Sequence, residues 1–219
     1  MEFTKFKAKK WIEKNSCEEV KVHPHKENSP HLDCIRNNLI YSRSKVEVNG
    51  AWLEFGVKNG SSFEIIRGCM PDNKILHGFD VWTGLPEPWV LRQTYPAGIL
   101  KSKRIPEDTT HKKYWTGLFK DTIPLYLEKE KDSVAFCHVD GDLYSSACDV
   151  LWGLNDRIVT GTIIVFDELH TFEKANIYKW YNVWNGELRA LAEWCQEKER
   201  KVEMFSRTEW MQGSFRVIQ

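Results

Sequence analysis

The chain has 219 residues, with 31 basic and 31 acidic side chains and a formal charge of zero. That balance argues against nonspecific nucleic-acid binding, which requires a basic excess. The length suits one large α/β domain, and 42% hydrophobic residues with 10 Trp supply a core.

No apolar run approaches the ~20 residues of a transmembrane helix, and the N-terminal MEFTKFKAKKW lacks the apolar region of a signal peptide. The six cysteines form no CxxC pair, which favours free thiols over disulfides or zinc. A soluble, cytoplasmic protein with neither nucleic-acid nor membrane partners is expected.

In chain order, residues 1–49 read as an N-terminal helical extension or lid. Phe3, Phe6, Trp11 and Ile12 make a weak apolar face. His23, His25 and His31 fall in a loop broken by Pro24 and Pro30, which favours solvation over metal binding. Leu32, Ile35, Leu39 and Ile40 repeat at helical spacing. This helix is expected to cover a pocket mouth or to form a homodimer contact.

Residues 50–219 read as one domain. A strand with Trp52, Leu53, Phe55 and Val57 enters the pattern E-x-G-x-x-x-G-x-S, made by Glu54, Gly56, Gly60 and Ser62. The glycines allow a tight turn and a close backbone approach to a ligand. The helix expected over 63–67 offers free N–H groups at its start. The turn is neither a phosphate loop nor GxGxxG. A second strand, 75–79, ends at Asp80, 20 residues after Gly60. An acid so placed hydrogen-bonds ribose hydroxyls in nucleotide-binding folds. Trp82 either flanks an adenine or packs under its loop. Residues 91–111 read as an irregular excursion over the pocket.

A third strand, 113–116, precedes a helix over 122–131, with Pro124 in its first turn and Asp121 or Thr122 as its cap. A buried strand, 134–139, then stops at Asp140-Gly141-Asp142. Either acid could be a ligand. Asp140 ends the strand and is preferred, while Asp142 could cap the helix expected over 146–158. A fifth strand, 162–166, runs into Asp167 and Glu168. An aromatic stretch, an amphipathic helix over 186–198 and two closing strands, 201–206 and 214–218, complete the chain. The alternation predicts a doubly wound α/β sheet whose ligands bind at the strand ends.

EFGVKNGSS resembles the first motif of class I S-adenosylmethionine-dependent methyltransferases. GFDVWTGLP, TGLFKDTIP, HVDGDLYSS and VFDE, in this order, resemble the macrocin/mycinamicin O-methyltransferase-like family over roughly residues 50–219. The resemblance implies a mostly parallel, seven-stranded Rossmann-like sheet with a C-terminal antiparallel strand. It implies S-adenosyl-L-methionine as cofactor and a small hydroxylated acceptor, a sugar or secondary metabolite. Glu54, Gly56, Gly60 and Ser62 would line the methionine and ribose part, Asp80 would hold the ribose and Trp82 would lie beside the adenosine. Leu118 and Phe119 would lie near the adenine. Asp140, Asp167 and Glu168 would hold Mg²⁺ or another divalent cation, with Asp140 between cofactor and acceptor.

Carboxylates suit a hard cation, which lowers the pKa of a hydroxyl and aligns it with the methyl donor. His170 is a candidate base, and His138 reads as a core residue. The stretch after Glu168 departs from the antibiotic-sugar enzymes, so no acceptor contacts carry over. A non-catalytic cofactor-binding module is the alternative from another class. A metal-dependent hydrolytic enzyme on a related scaffold is a third reading.

Overall fold

Strands that are apolar on both faces must be covered on both faces. The computed structural model describes residues 30–90, 94–169, 185–208 and 211–219. In it, α1 (Pro30–Arg43) precedes β1 (Ala51–Phe55), α2 (Ser61–Cys69) and β2 (Leu76–Asp80). A small hairpin, β3 (Trp89–Val90) with β4 (Thr94–Tyr95), leads to β5 (Lys112–Thr116) and α3 (Phe119–Lys129). There follow β6 (Val134–Val139), α4 (Tyr144–Gly153), β7 (Ile158–Phe166), α5 (Glu187–Glu197), β8 (Val202–Arg207) and β9 (Gly213–Val217).

The main sheet has seven strands in the order β5-β2-β1-β6-β7-β9-β8. The first five are parallel, and β9 runs antiparallel to both β7 and β8. This is the expected doubly wound α/β sheet with an antiparallel C-terminal strand. The alternation of side chains along the strands divides the core in two. On one face, Trp52, Leu76, Phe136, Ile163 and Val165 pack with Ile35 and Leu39 of α1 and Phe63 and Ile66 of α2. On the other, Leu53, Phe55, Phe79, Val139, Ile164 and Phe166 pack under α3, α4 and α5. Trp52 stacks on Phe136 at 5.1 Å and Phe55 on Phe79 at 4.4 Å, one pair for each face. The chain winds outward from β1 to β5, then returns to β6 on the other side of β1. That reversal opens a crevice at the strand ends.

Several element boundaries differ from expectation. Helix α3 starts three residues early, so Pro124 lies in its interior, not its first turn. Its N-cap is Leu118, with no side-chain cap, and Thr122 Oγ1 instead donates to the Leu118 carbonyl at 3.0 Å. Helix α4 starts at Tyr144 and ends at Gly153, with turn hydrogen bonds carrying the chain to β7. Its N-cap is Leu143, so Asp142 does not cap it. The predicted excursion contains β4, paired to β3.

Of the segment read as an extension, α1 packs on α2 and the sheet. Asn38 joins it to the antiparallel edge through buried hydrogen bonds. Its Nδ2 donates to Ser214 Oγ at 3.0 Å, and its Oδ1 accepts from Ser206 Oγ at 2.5 Å. Ser42 Oγ donates to the same Ser214 oxygen at 2.7 Å. The expectations for residues 1–29, including His23 and His25, lie outside the described residues. Cys69, Cys137, Cys148 and Cys195 are free thiols, as expected. No helix among the described residues is long and apolar enough to cross a membrane.

Replacing Asn38 by Ala strands the Ser206 hydroxyl and removes a donor to Ser214 in the buried interior. The expected loss is roughly 2–3 kcal/mol of unfolding free energy, measured by urea denaturation. A loss below about 0.5 kcal/mol would show that the network does not anchor α1.

Candidate active site

The crevice holds a cavity of about 840 Å³, floored by the ends of β1, β2, β6 and β7. Its first wall is the turn after β1. Gly56 has φ +97°, and a Cβ on it would fall 1.8 Å from the Asp140 carbonyl oxygen. No other residue fits there, because the segments leaving the parallel strands β1 and β6 run too close together. Gly60, with φ +81°, is the N-cap of α2 and leaves open space around its Cα. No side chain caps α2, so the backbone N–H groups of its first turn remain available to a ligand.

Asp80 sits at the end of β2 and lines the cavity. Its Oδ2 accepts from the Lys58 N–H at 2.7 Å and its Oδ1 from the Trp82 N–H at 2.6 Å. Ser62, Leu118 and Phe119 line the cavity as well. Trp82 does not: it is buried and meets Tyr114 edge-on at 6.2 Å. Of the two readings of Trp82, the structure realises packing under the loop. Glu54 is likewise held in the interior, with Oε1 2.8 Å from His138 Nδ1 across paired positions of β1 and β6. Burial pushes the Glu54 carboxyl up, opposed by hydrogen bonds from His138 and Ser62. His138 is therefore the core residue the sequence predicts.

The acids gather at the ends of β6 and β7. Asp140, Asp142 and Glu168 each place one carboxylate oxygen within 4.8 Å of the others. The expected trio had Asp167 in place of Asp142. Asp142 adopts the left-handed conformation, φ 61°, which turns it back toward the cluster. Asp167 lines the same cavity, but its Oδ1 accepts from Gln212 Nε2 at 3.1 Å, and Thr208 Oγ1 holds Gln212 at 2.5 Å. A further acid, Glu187, is fully buried at the start of α5, and its Oε2 accepts from the Glu168 N–H at 3.0 Å. The sequence admits two readings of Glu187, an acid that faces the pocket or one that simply favours a helix N-terminus, and the second is the one preferred there.

Desolvation first, then Asp167 and Asp142, push the Asp140 carboxyl well above the ordinary carboxylate range. The same causes raise Glu168, with Asp140 and Glu187 adding to them. Asp142 is pushed up to about 7 by burial and Asp167, with the Lys58 ammonium opposing. A second cavity of about 360 Å³ lies beyond the trio and shares Asp142 and Glu168 with the first. Trp89, Tyr144 and Arg189 wall it, and the Arg189 guanidinium stacks over Tyr144 at 4.3 Å. His170 and the aromatic stretch to residue 184 lie outside the described residues.

A doubly wound sheet with a glycine turn after β1 and acids on β2, β6 and β7 around one crevice is the framework of the S-adenosylmethionine-dependent methyltransferases. The family model of macrocin-O-methyltransferase (TylF) matches residues 32–183, and the chain belongs to that family. It is an S-adenosylmethionine-dependent methyltransferase, as the sequence motifs predict. The calicheamicin methyltransferase CalS11 shares the fold with TM-score 0.63 at 20% identity, over 88% of this chain and 80% of that one. The O-methyltransferase NovP has TM-score 0.57 at 18% identity, over 86% and 79%. A Bacillus cereus O-methyltransferase in complex with SAH has TM-score 0.53 at 10% identity, over 90% and 84%. No curated protein matches the chain in sequence.

The raised acids make stability depend on pH. A carboxyl lifted from 3.8 to about 7, as in Asp142, keeps its proton in the folded chain where the unfolded chain has lost it. Its stabilising effect is therefore complete below the ordinary value and lost as pH rises through about 7. Asp167 and Asp80 face this group and add to the shift, while Lys58 opposes it. In EDTA, the melting temperature is expected to fall between about pH 5 and about pH 8. Asp142→Asn should flatten that slope; an unchanged slope would refute the assignment.

Proposed function

We propose that the chain transfers a methyl group from S-adenosylmethionine to a hydroxyl of a small acceptor, a sugar or secondary metabolite, with a divalent cation assisting. The observation that carries this reading is the carboxylate trio of Asp140, Asp142 and Glu168 at the boundary of two cavities. The residues fit a hard cation. All three donors are carboxylate oxygens, and the buried Glu168 Oε2 has no hydrogen-bond partner. Asp140, Asp142 and Glu168 would hold the ion, with Asp167 fixed beside them by Gln212. When bound, it would lower the pKa of an acceptor hydroxyl.

The larger cavity suits the cofactor. Asp80 would accept from ribose hydroxyls through lone pairs left free by its two backbone bonds. The first turn of α2 and Ser62 would hold the polar end, and Leu118 with Phe119 would flank the adenine. Trp89 and Tyr144 would wall the acceptor in the smaller cavity. Holding the two reactants in line across the trio would supply much of the rate. The neighbour CalS11 is described as a TDP-rhamnose 3'-O-methyltransferase, which makes nucleotide-linked sugars the first acceptors to assay.

Methyl transfer from labelled cofactor to a panel of nucleotide-linked deoxysugars and glycosides tests the reading. Transfer should stop in EDTA and return with Mg²⁺; full activity in EDTA would remove the cation from the mechanism. Asp80→Ala should weaken cofactor binding roughly ten- to hundredfold in calorimetric titration, the worth of charge-assisted hydrogen bonds. That loss includes any shift of the two loops Asp80 holds. Asp142→Asn should lower kcat about a hundredfold while changing cofactor affinity less than about twofold.

A further inference from the structure

We propose that Arg189 receives an anionic group of the acceptor, a phosphate or a carboxylate, in the smaller cavity. This rests on the reading of that cavity as the acceptor's and adds the chemical class of what it takes.

Arg189 lies in the first turn of α5 and is the only basic residue among the described residues that wall this cavity. Its guanidinium is held on two sides. The Tyr144 ring lies under it, with its centroid at 4.3 Å, and its Nε donates to Glu193 Oε1 at 2.8 Å. The Tyr144 hydroxyl donates to the other oxygen of the same carboxylate, Glu193 Oε2, at 2.6 Å. Ring, carboxylate and guanidinium close a triangle that fixes the plane of the cation.

The triangle also decides which donors are left. A guanidinium often meets a carboxylate through two parallel N–H bonds. Here Tyr144 occupies the second oxygen of Glu193, and Arg189 gives that carboxylate Nε alone. Among the described residues, its Nη1 and Nη2 have no hydrogen-bond partner. The side chain is 38% exposed, so a ligand can reach them. What remains is the outer edge of a planar fork whose geometry matches the oxygens of phosphate and carboxylate.

The other charged walls are acids. Glu87, Asp142 and Glu168 line the same cavity, and Glu87 Oε1 accepts from Ser145 Oγ at 2.5 Å. Like charges repel, so an anion is accepted only where Arg189 offsets them. That fixes the register of the acceptor, with its uncharged part toward Asp142 and Glu168. Gly186, the N-cap of α5, also lines the cavity, and no side chain caps that helix. The positive end of the helix adds to the attraction.

UDP-glucose, methyl glucuronide and methyl glucoside share a hexose ring and carry, in turn, phosphates, a carboxylate and no charge. Each is titrated calorimetrically into protein loaded with S-adenosylhomocysteine and Mg²⁺. The wild type should bind one or both anions more tightly than the glucoside, and the one it prefers identifies the source of the oxyanion. Arg189→Met keeps the length and the packing on Tyr144 but loses the charge. It should weaken binding of the anion about ten- to hundredfold, the worth of hydrogen bonds to charged groups, and change any affinity for the glucoside less than about twofold. Arg189→Lys keeps a charge without the fork and should fall between wild type and Arg189→Met. Should Arg189→Met fail to fold, Arg189→Lys carries the test.

A wild type that binds neither anion at millimolar concentration would overturn the inference, as would variants that keep wild-type affinity for both. Equal losses for the anions and the glucoside would also overturn it, since they would mark a general change of shape. The acceptor reading is checked separately, by methyl transfer from labelled cofactor with the wild type. Transfer to neutral glycosides with neither anion bound would sink this inference and leave that reading standing. Anion binding that depends on Arg189, without methyl transfer to any hydroxyl, would keep the anion site and sink that reading.

Discussion

Repulsion among like charges governs the end of this sheet. Asp142, Asp167, Glu168 and Glu187 are buried, and Asp140 is partly exposed beside them. Desolvation and mutual repulsion favour the protonated forms of Asp140, Asp142, Glu168 and Glu187. Within the described chain, Lys58 supplies positive charge that opposes the shift at Asp142, and backbone N–H groups supply the opposition at Glu187. Such a cluster destabilises the fold unless protons or a cation neutralise it. Both faces of the sheet are sealed by apolar packing that reaches the last residues of β1, β6 and β7, namely Phe55, Val139 and Phe166.

The sheet was legible in the sequence because its signals are local. Residues 134–139 and 162–166 are apolar runs stopped by acids, and a buried parallel strand needs little more. The glycine turn was legible for a similar reason, since Gly56 must be glycine wherever β1 and β6 approach this closely. Helix starts were less legible. Neither α3 nor α4 uses a side-chain cap, so the residues that usually mark a start, Asp121, Thr122 and Asp142, misplace it. Pro124 misleads in the same way, because its neighbours hold the helix despite the missing N–H.

Residues of the site divide on the same line. That Asp80, Asp140 and Glu168 line the crevice was legible because each stands at a strand end. The choice between Asp142 and Asp167 depended on a left-handed backbone angle at Asp142 and on a partner, Gln212, supplied by the far end of the chain. Trp82 was ambiguous in sequence because an aromatic beside an acid serves a ligand or a core equally well. Packing against Tyr114 decided it. The Glu54–His138 pair follows from the register between β1 and β6, which no single stretch of sequence specifies.

Two buried or half-buried carboxylates, Asp80 and Glu187, bind backbone N–H groups of the loops around the crevice. Asp80 accepts one N–H from the turn after β1 and one from the loop after β2. Both donors, Lys58 and Trp82, have positive φ without being glycine, at 49° and 53°. A backbone held in that region persists only where its surroundings over-determine it, and Asp80 supplies part of that constraint on each side. On the other side of the crevice, Glu187 of α5 accepts the Glu168 N–H of the loop after β7. Asp80 therefore ties the turn after β1 to the loop after β2, and Glu187 ties the loop after β7 to the start of α5. Each side chain bonds to backbone, so the loops that they hold can differ in side chains while these contacts are kept.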